Sequence, residues 1–445
     1  VTGATSVTGT LTCNASAISL GTGLTSAYGL TVNTGGTFTG GSGTHTFGGL
    51  FVADHASADC TLTSGDTTIN GENSDNYNFT VYDGSTLDNA DGTVIFTGPT
   101  STIYLQSSAT VQSGEPRLHN VTLNSSGNTL TLGHNLTVER ALIVTAGILD
   151  TDGTFTHNGA LTVSGIAGTN YAFQNLGTWT PSTSQVTTFT GDGDGTYHVK
   201  SNDWDSVVIH AAGEQYIFRP KTGTAITFVD DLTVTAGNMI QNDNGDSWTV
   251  GEDVLVSDDT LGVSTATGNL EFNSLTIADG ATFQATRGTT TLTGEKDYWA
   301  LDVADGGTFT HNSGTVAITT NTNTFIRGME GDDTAGAGAN ALNNLTVNLG
   351  ADSYYLSLRP IGSGVTSHNI VGDVLVTRGK LYKETNAHTL TIGGDVSVSA
   401  DGELGHADRT GNDTFGSLTI ASGGTAIATS GTTTMTGVSD GAFNF

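Results

Sequence analysis

Apolar and polar residues alternate along this chain in short strings, and the same string recurs. Leu30-Thr31-Val32, Leu136-Thr137-Val138, Leu161-Thr162-Val163, Leu232-Thr233-Val234, Leu275-Thr276-Ile277, Leu345-Thr346-Val347 and Leu418-Thr419-Ile420 each place two apolar residues on one side of an extended segment and Thr on the other. Gly, Asn or Asp follows within a few residues, supplying the positive-φ positions that tight turns need. Stretches with apolar residues at helical spacing do not occur, and Thr, Val, Ser, Asn and Gly take the place of the usual helix formers. The pattern predicts an all-β chain of many short strands.

Self-comparison shows how the strands are grouped. FNSLTIADGATFQATRGTTTLTG, Phe272 to Gly294, returns without a gap as FGSLTIASGGTAIATSGTTTMTG, Phe415 to Gly437. Upstream, Trp248 onward (WTVGEDVLVS) matches Leu390 onward (LTIGGDVSVS), and YIFRP at Tyr216 to Pro220 matches YLSLRP at Tyr355 to Pro360. GTFTHN stands both at Gly153 to Asn158 and at Gly307 to Asn312. The sequence divides on this basis into N-terminal coils (1–118), a degenerate repeat block (119–203), a second block (204–341) and a third (342–445) that duplicates 204–294. Within Phe272 to Gly294 lie three candidate strands, LTIA, TFQAT and TTLTG, with turns centred on Gly280 and Gly288. Three strands in about 23 residues is the coil length of a β-solenoid. No segment is long enough to be a crossover helix. The fold expected is a right-handed parallel β-helix of on the order of 20 coils, roughly 90 to 100 Å long at about 4.8 Å per strand. Tandem β-sandwich modules are the alternative, since strands at such intervals suit them too.

Composition narrows the functions. The 445 residues hold 43 acidic and 13 basic side chains, a formal charge of -30. The five Lys and eight Arg are scattered singly, which excludes the clustered cations that nucleic-acid binding requires. No run approaches the roughly 18 apolar residues of a membrane-spanning helix. A hydrophobic share of 36% in regular alternation argues for a folded chain despite the Gly, Ser and Thr content. The chain begins at Val1 without Met and carries a strand-like string to Phe445, which reads as part of a longer protein or as termini that dock on other subunits.

Candidate chemistry is sparse. Cys13 and Cys60 are the two cysteines, about two coils apart, and are read either as one disulfide in an extracellular setting or as two buried thiols. Asp150-Thr151-Asp152-Gly153, Asp192-Gly193-Asp194-Gly195 and the turn containing Asp243 and Asp246 place carboxylates at Gly turns, as calcium loops do, although none continues into a full loop with a closing Glu. Asp and Asn also occupy turns simply to cap them. Calcium is thus the one cofactor the sequence suggests. Asp203, Trp204 and Asp205, with Tyr197 and His198 upstream, are the best carbohydrate-binding or hydrolytic candidate, two carboxylates on one face beside an aromatic; the plainer reading is a turn with a buried Trp. The 11 His form no zinc pattern, and no nucleophile elbow or phosphate loop is present.

In its repeated LTV-x-x-G-x-L grain, the whole chain resembles the Thr- and Gly-rich β-helical surface proteins of bacteria and their viruses: adhesins, passenger rods, and fibre or tailspike shafts. The resemblance carries no motif by which a functional residue can be assigned. It implies a non-enzymatic, extracellular structural element on a cell or virion surface, self-associating head-to-tail or as a trimer, with surface polysaccharide as a possible ligand. A polysaccharide-processing spike and a calcium-stabilised carbohydrate-binding array are the alternatives it leaves open.

Overall fold

The computed structural model describes residues 1–53, 55–82, 84–105, 117–134, 136–150, 161–163, 171–180, 186–191, 195–329, 340–361, 367–384 and 387–437. Among these there is no helix. Parallel strands stack as a β-solenoid whose successive turns lie roughly 23 residues apart, about 16 turns in the described residues. The solenoid expectation therefore holds, and the sandwich alternative falls because strands pair in parallel with strands one coil away, on both sides for most of them, as Leu30–Val32 does with Thr5–Val7 and Leu50–Val52. The turn count is below the order of 20 expected. Some coils are longer than the shortest repeat, as where Val316 pairs with Leu345 and Thr324 with Leu356, and part of the chain lies outside the description. The chain falls into two compact units, Val1–Lys221 and Thr222–Phe445. That boundary falls inside the block 204–341, so sequence duplication and compactness are separate properties of the chain.

In the first unit the inward residues form columns. Leu30, Leu50, Phe79 and Ile103 lie in register on one face, with Val32, Val52, Val81 and Leu105 two residues along. Leu11, Phe38, Cys60 and Leu87 make a second column, and Leu20, Phe47, Ile69, Phe96 and Leu123 a third. Most are fully buried. The alternation of the sequence accounts for this: inward side chains pack on those of the adjoining coils, while the Thr between them faces out and costs nothing to solvate.

The second unit repeats the scheme. Val234, Val256, Ile277 and Val303 stack in one column, and Met239, Leu261, Phe283 and Phe309 in another. A third runs Phe272, Leu292, Ile318, Val347, Val376, Val398, Ile420. Two glycines show why Gly is needed at the turns. Gly280 sits at φ +81°, in the left-handed region. Gly288 lies so close to the coil before it that a Cβ would meet the Thr267 carbonyl oxygen at 2.7 Å.

The duplicated segments fold alike and land differently. Ser274–Ile277, Thr282–Gln284 and Thr289–Leu292 are matched by Ser417–Ile420, Thr425–Ala426 and Thr433–Met435. Ser274–Ile277 belongs to the column of Val256 and Val303, whereas Ser417–Ile420 continues the column of Leu292, the third strand of the first copy's coil. Its second strand, Thr425–Ala426, follows Glu403–Leu404, which stands in register with Lys380 and Leu381 of the strand before. The duplication thus repeats the sequence of a coil but starts it one strand earlier in the round, so that the second strand of the second copy stands in the column of the first strand of the first.

Candidate functional site

The residues put forward for carbohydrate chemistry are parted by the fold. Trp204 is fully buried within rings of the first unit, its centroid 5.0 Å from Phe173, 5.1 Å from Trp179 and 5.6 Å from Phe218. Tyr197 is equally buried, stacks on Tyr216 at 4.8 Å, and donates its hydroxyl to the Glu214 carboxylate at 3.1 Å. Asp203 is exposed while Asp205 is buried and accepts a hydrogen bond from the Thr187 hydroxyl at 3.1 Å. A bend at Asp205, between the strands Asp203–Trp204 and Ser206–Arg219, breaks the alternation that would have put both carboxylates on one face. His198 is half-buried, and burial, assisted by Arg219, holds its imidazole below the usual range. What the sequence grouped as one site is a packed core plus one exposed carboxylate.

Of the calcium candidates, Asp152, Asp192 and Asp194 lie outside the described residues. Asp150 closes the strand Leu136–Asp150 in register with Thr180. Asp246 is buried and accepts the backbone N–H of Asp243 at 3.1 Å, so its carboxylate caps its own turn; burial pushes it up in pKa. Among the described residues no three His, Cys, Asp or Glu converge as metal ligands. Turn carboxylates elsewhere serve as rungs between coils: Asp231 Oδ1 accepts the Asp253 N–H at 3.0 Å, and Asp373 Oδ1 that of Asp395 at 2.8 Å.

The disulfide reading is corrected. Cys13 and Cys60 are both free and buried, and burial raises both thiols in pKa. The strand Thr37–Thr39 lies between them: Cys60 pairs with Phe38 on one side of that strand, and the Cys13 N–H donates to Thr39 O at 2.8 Å on the other. Two strand spacings amount to about 9.6 Å, beyond the roughly 7 Å that a disulfide can bridge between α-carbons.

Sequence reasoning missed an outward row of rings on the second unit. Trp299, Phe325, Tyr355, Tyr382 and His406 follow one another from coil to coil at centroid distances of 5.6, 5.9, 5.1 and 5.3 Å. Beside it runs a charged row in which Asp302, Arg327 and Arg359 are in register. Arg327 grips Asp302 with two hydrogen bonds, at 2.6 and 2.7 Å, and Arg359 pairs with Glu384. The two guanidinium groups also lie over rings, Arg327 4.8 Å from Trp299 and Arg359 3.4 Å from Phe325. Phe325 is covered, whereas Trp299, Tyr355, Tyr382 and His406 stay half-exposed. Burial beside Tyr355 pushes the Tyr382 hydroxyl up to about 12, and burial lowers Arg359. The signal was present in the sequence as one aromatic per coil with Arg close behind, notably in YLSLRP. The first unit has a comparable row without Arg, in which Phe51 lies 5.3 Å from Tyr28 and 5.6 Å from Tyr82, and Tyr104 lies 5.6 Å from Tyr82.

One further cluster is buried. Lys383 occupies an inward position, in register with Leu358, and its ammonium donates to Asp413 Oδ1 at 2.6 Å and to the carbonyls of Gly411 and Asn412 at 3.1 and 3.3 Å. His368 and His388 lie against each other 5.5 Å apart, and the Lys383 charge reaches both. Next to the pair opens a cavity of about 420 Å³ lined by Leu404, Phe415, Leu418, Ile420 and Met435 among others. Its walls come from the inner face of the 415–437 coil and from the coils before it, Lys383, Leu390 and Asp413 included. In the first copy the equivalent Leu275, Ile277 and Leu292 are fully buried under the next coil, whereas Ile420 is 43% exposed and no described strand lies on its outer side.

No protein-family model matches the chain, and no curated protein or solved structure is detectably similar to it.

Proposed function

We propose that this chain is a structural, adhesive β-solenoid displayed on a cell or virion surface, without enzymatic activity of its own. The observation that carries the reading is the outward face: rings follow one another from coil to coil over part of each unit, Tyr28, Phe51, Tyr82 and Tyr104 in the first and Trp299 to His406 in the second. A surface that repeats one contact along its coils suits a linear or repetitive partner better than a small substrate. The net charge of -30 adds the repulsion that keeps exposed strand edges from aggregating. Immunogold labelling of intact native cells or particles is the test: label on the outer surface is expected, and label confined to the interior refutes the reading. A polysaccharide-cleaving spike is the competing proposal, and release of reducing ends from host polysaccharide would favour it. A calcium-stabilised array would lose melting temperature in chelator.

Self-association belongs to the same proposal. A coil of a second copy laid on the Ser417–Ile420 edge would cover Leu418, Ile420 and Met435 as the first copy's coil is covered, and strand edges recruit strands. Sedimentation velocity over a wide concentration range should show a growing species, and a single unchanging monomer would remove this part.

A further inference from the structure

We infer that the aromatic and charged rows of the second unit form a binding strip for a neutral, extended polysaccharide. The inference deepens the adhesive reading by naming its ligand and site. A sugar ring offers a flat face of C–H groups, which packs on an aromatic ring, and a rim of hydroxyls, which need donors and acceptors together. Tyr355, Tyr382 and His406 supply three half-exposed rings on successive coils, with centroids 5.1 and 5.3 Å apart, and Trp299 supplies a fourth two coils before Tyr355, beyond the covered Phe325. That advance is set by the strand spacing of the solenoid, about 4.8 Å, and is comparable to the step of an extended sugar chain.

The charged row supplies the hydroxyl partners. Asp302 and Arg327, then Arg359 and Glu384, are carboxylate and guanidinium in pairs, each partly open to water, with side-chain exposures of 15% and 33%, and of 32% and 37%. A paired guanidinium keeps spare N–H donors and a paired carboxylate keeps spare lone pairs, so both kinds of hydrogen bond are on offer at fixed positions. Within each pair the charges cancel, Arg409 adds a guanidinium 5.5 Å over Tyr382, and the whole chain stands at -30. A polyanion such as a uronic-acid polymer or a nucleic acid meets repulsion from that overall excess of acid; a neutral polymer does not. Arg327 lies over Trp299 and Arg359 over Phe325, which holds those two rings in place and leaves Tyr355, Tyr382 and His406 as the stacking positions, with less entropy to lose when a ligand settles.

Affinity electrophoresis of the whole chain in native gels, containing hydroxyethylcellulose, xyloglucan or galactomannan, or polygalacturonate as the acidic counterpart, tests this. Retardation by at least one neutral polymer and none by polygalacturonate is expected. Tyr382→Ala should weaken the retarding interaction about tenfold, the scale of one lost stacking contact, while Tyr382→Phe keeps it. Leu375→Ala, exposed in the second unit on a different strand column, should leave it unchanged. Migration unaffected by all three neutral polymers overturns the inference, as does a Tyr382→Ala protein with native circular dichroism and undiminished retardation. If Tyr382→Ala fails to fold, His406→Ala takes its place at the edge of the row with the same expected loss. Retardation by polygalacturonate alone overturns the neutral ligand. None of these results bears on where the protein resides, so the surface reading is judged separately by immunogold labelling.

Discussion

Ile277 and Ile420 stand in the same tetrapeptide, Ser-Leu-Thr-Ile, in the two copies of the duplicated coil, and they differ in what lies over them. Ile277 is held between Val256 and Val303 and is fully buried; Ile420 rests on Val398 and is 43% exposed. Truncation to Ala removes roughly three methylene equivalents, about 2.4 kcal/mol of transfer free energy if all were buried. At Ile277 a cavity term adds to this, since both adjoining coils are tied by their own strand pairing and cannot collapse inward, for a total of about 3 to 4 kcal/mol. At Ile420 much of the side chain is already in water and no second wall stands among the described residues, so about 1 kcal/mol is expected. Hydrogen exchange read on peptides covering each strand separates the two, because coils of a solenoid couple chiefly to their neighbours and a coil paired on one side opens more readily than one held on both. Ile277→Ala should deprotect the coils from Asp253 to Val303, whereas Ile420→Ala should change only the 415–437 coil. Equal losses at the two sites would refute the reasoning, and would mean that Ile420 is roofed in solution.

Three further outcomes follow from the buried polar groups. Lys383→Met strands the Asp413 carboxylate in the core and should cost about 3 to 5 kcal/mol in chemical denaturation, while Lys383→Met with Asp413→Leu should return close to the parent; a double variant no more stable than the single would count against a satisfied ion pair. His368 is depressed to about 3, chiefly by burial and then by His388 and Lys383. Protonation therefore favours the unfolded chain, so the stability from this site is complete above pH ~6.5 and is lost as pH falls toward 3, by about 2 kcal/mol at pH ~5. Denaturation midpoints that stay flat from pH ~7 to ~5 in the parent, or that fall as steeply in His368→Leu, would contradict this. Cys13 and Cys60 should resist an aromatic disulfide reagent in the native protein and both react once it is unfolded; native protein lacking free thiols after denaturation would restore the disulfide.

Legibility followed the range of the interactions concerned. Strings such as Leu232-Thr233-Val234 declare a strand and its inward side through neighbours two residues apart, and Gly280 declares its turn through its own backbone; both were readable in one dimension. The Asp203, Trp204 and Asp205 grouping failed because a bend at Asp205 and the rings of Phe173 and Trp179, distant in sequence, decided where each side chain went. The aromatic row was overlooked because its members are separated by a whole coil and become neighbours only when coils stack.

By itself, then, the sequence determined an all-β chain of short strands and pointed to a solenoid ahead of tandem sandwiches: alternation sets which side of each strand seeks the core, and the Gly and Asn turns set how much chain makes one coil. Tertiary structure alone decided which coil covers which. It kept Cys13 and Cys60 two strands apart, set Lys383 inside against Asp413, and placed the second copy of the duplicated segment one strand earlier in the round, with Ile420 partly exposed. Stacking depends on the summed length of the coils between two segments, longer here and shorter there. Local pattern holds no record of that sum, so identical strings can face identical neighbours along the chain and quite different ones across it.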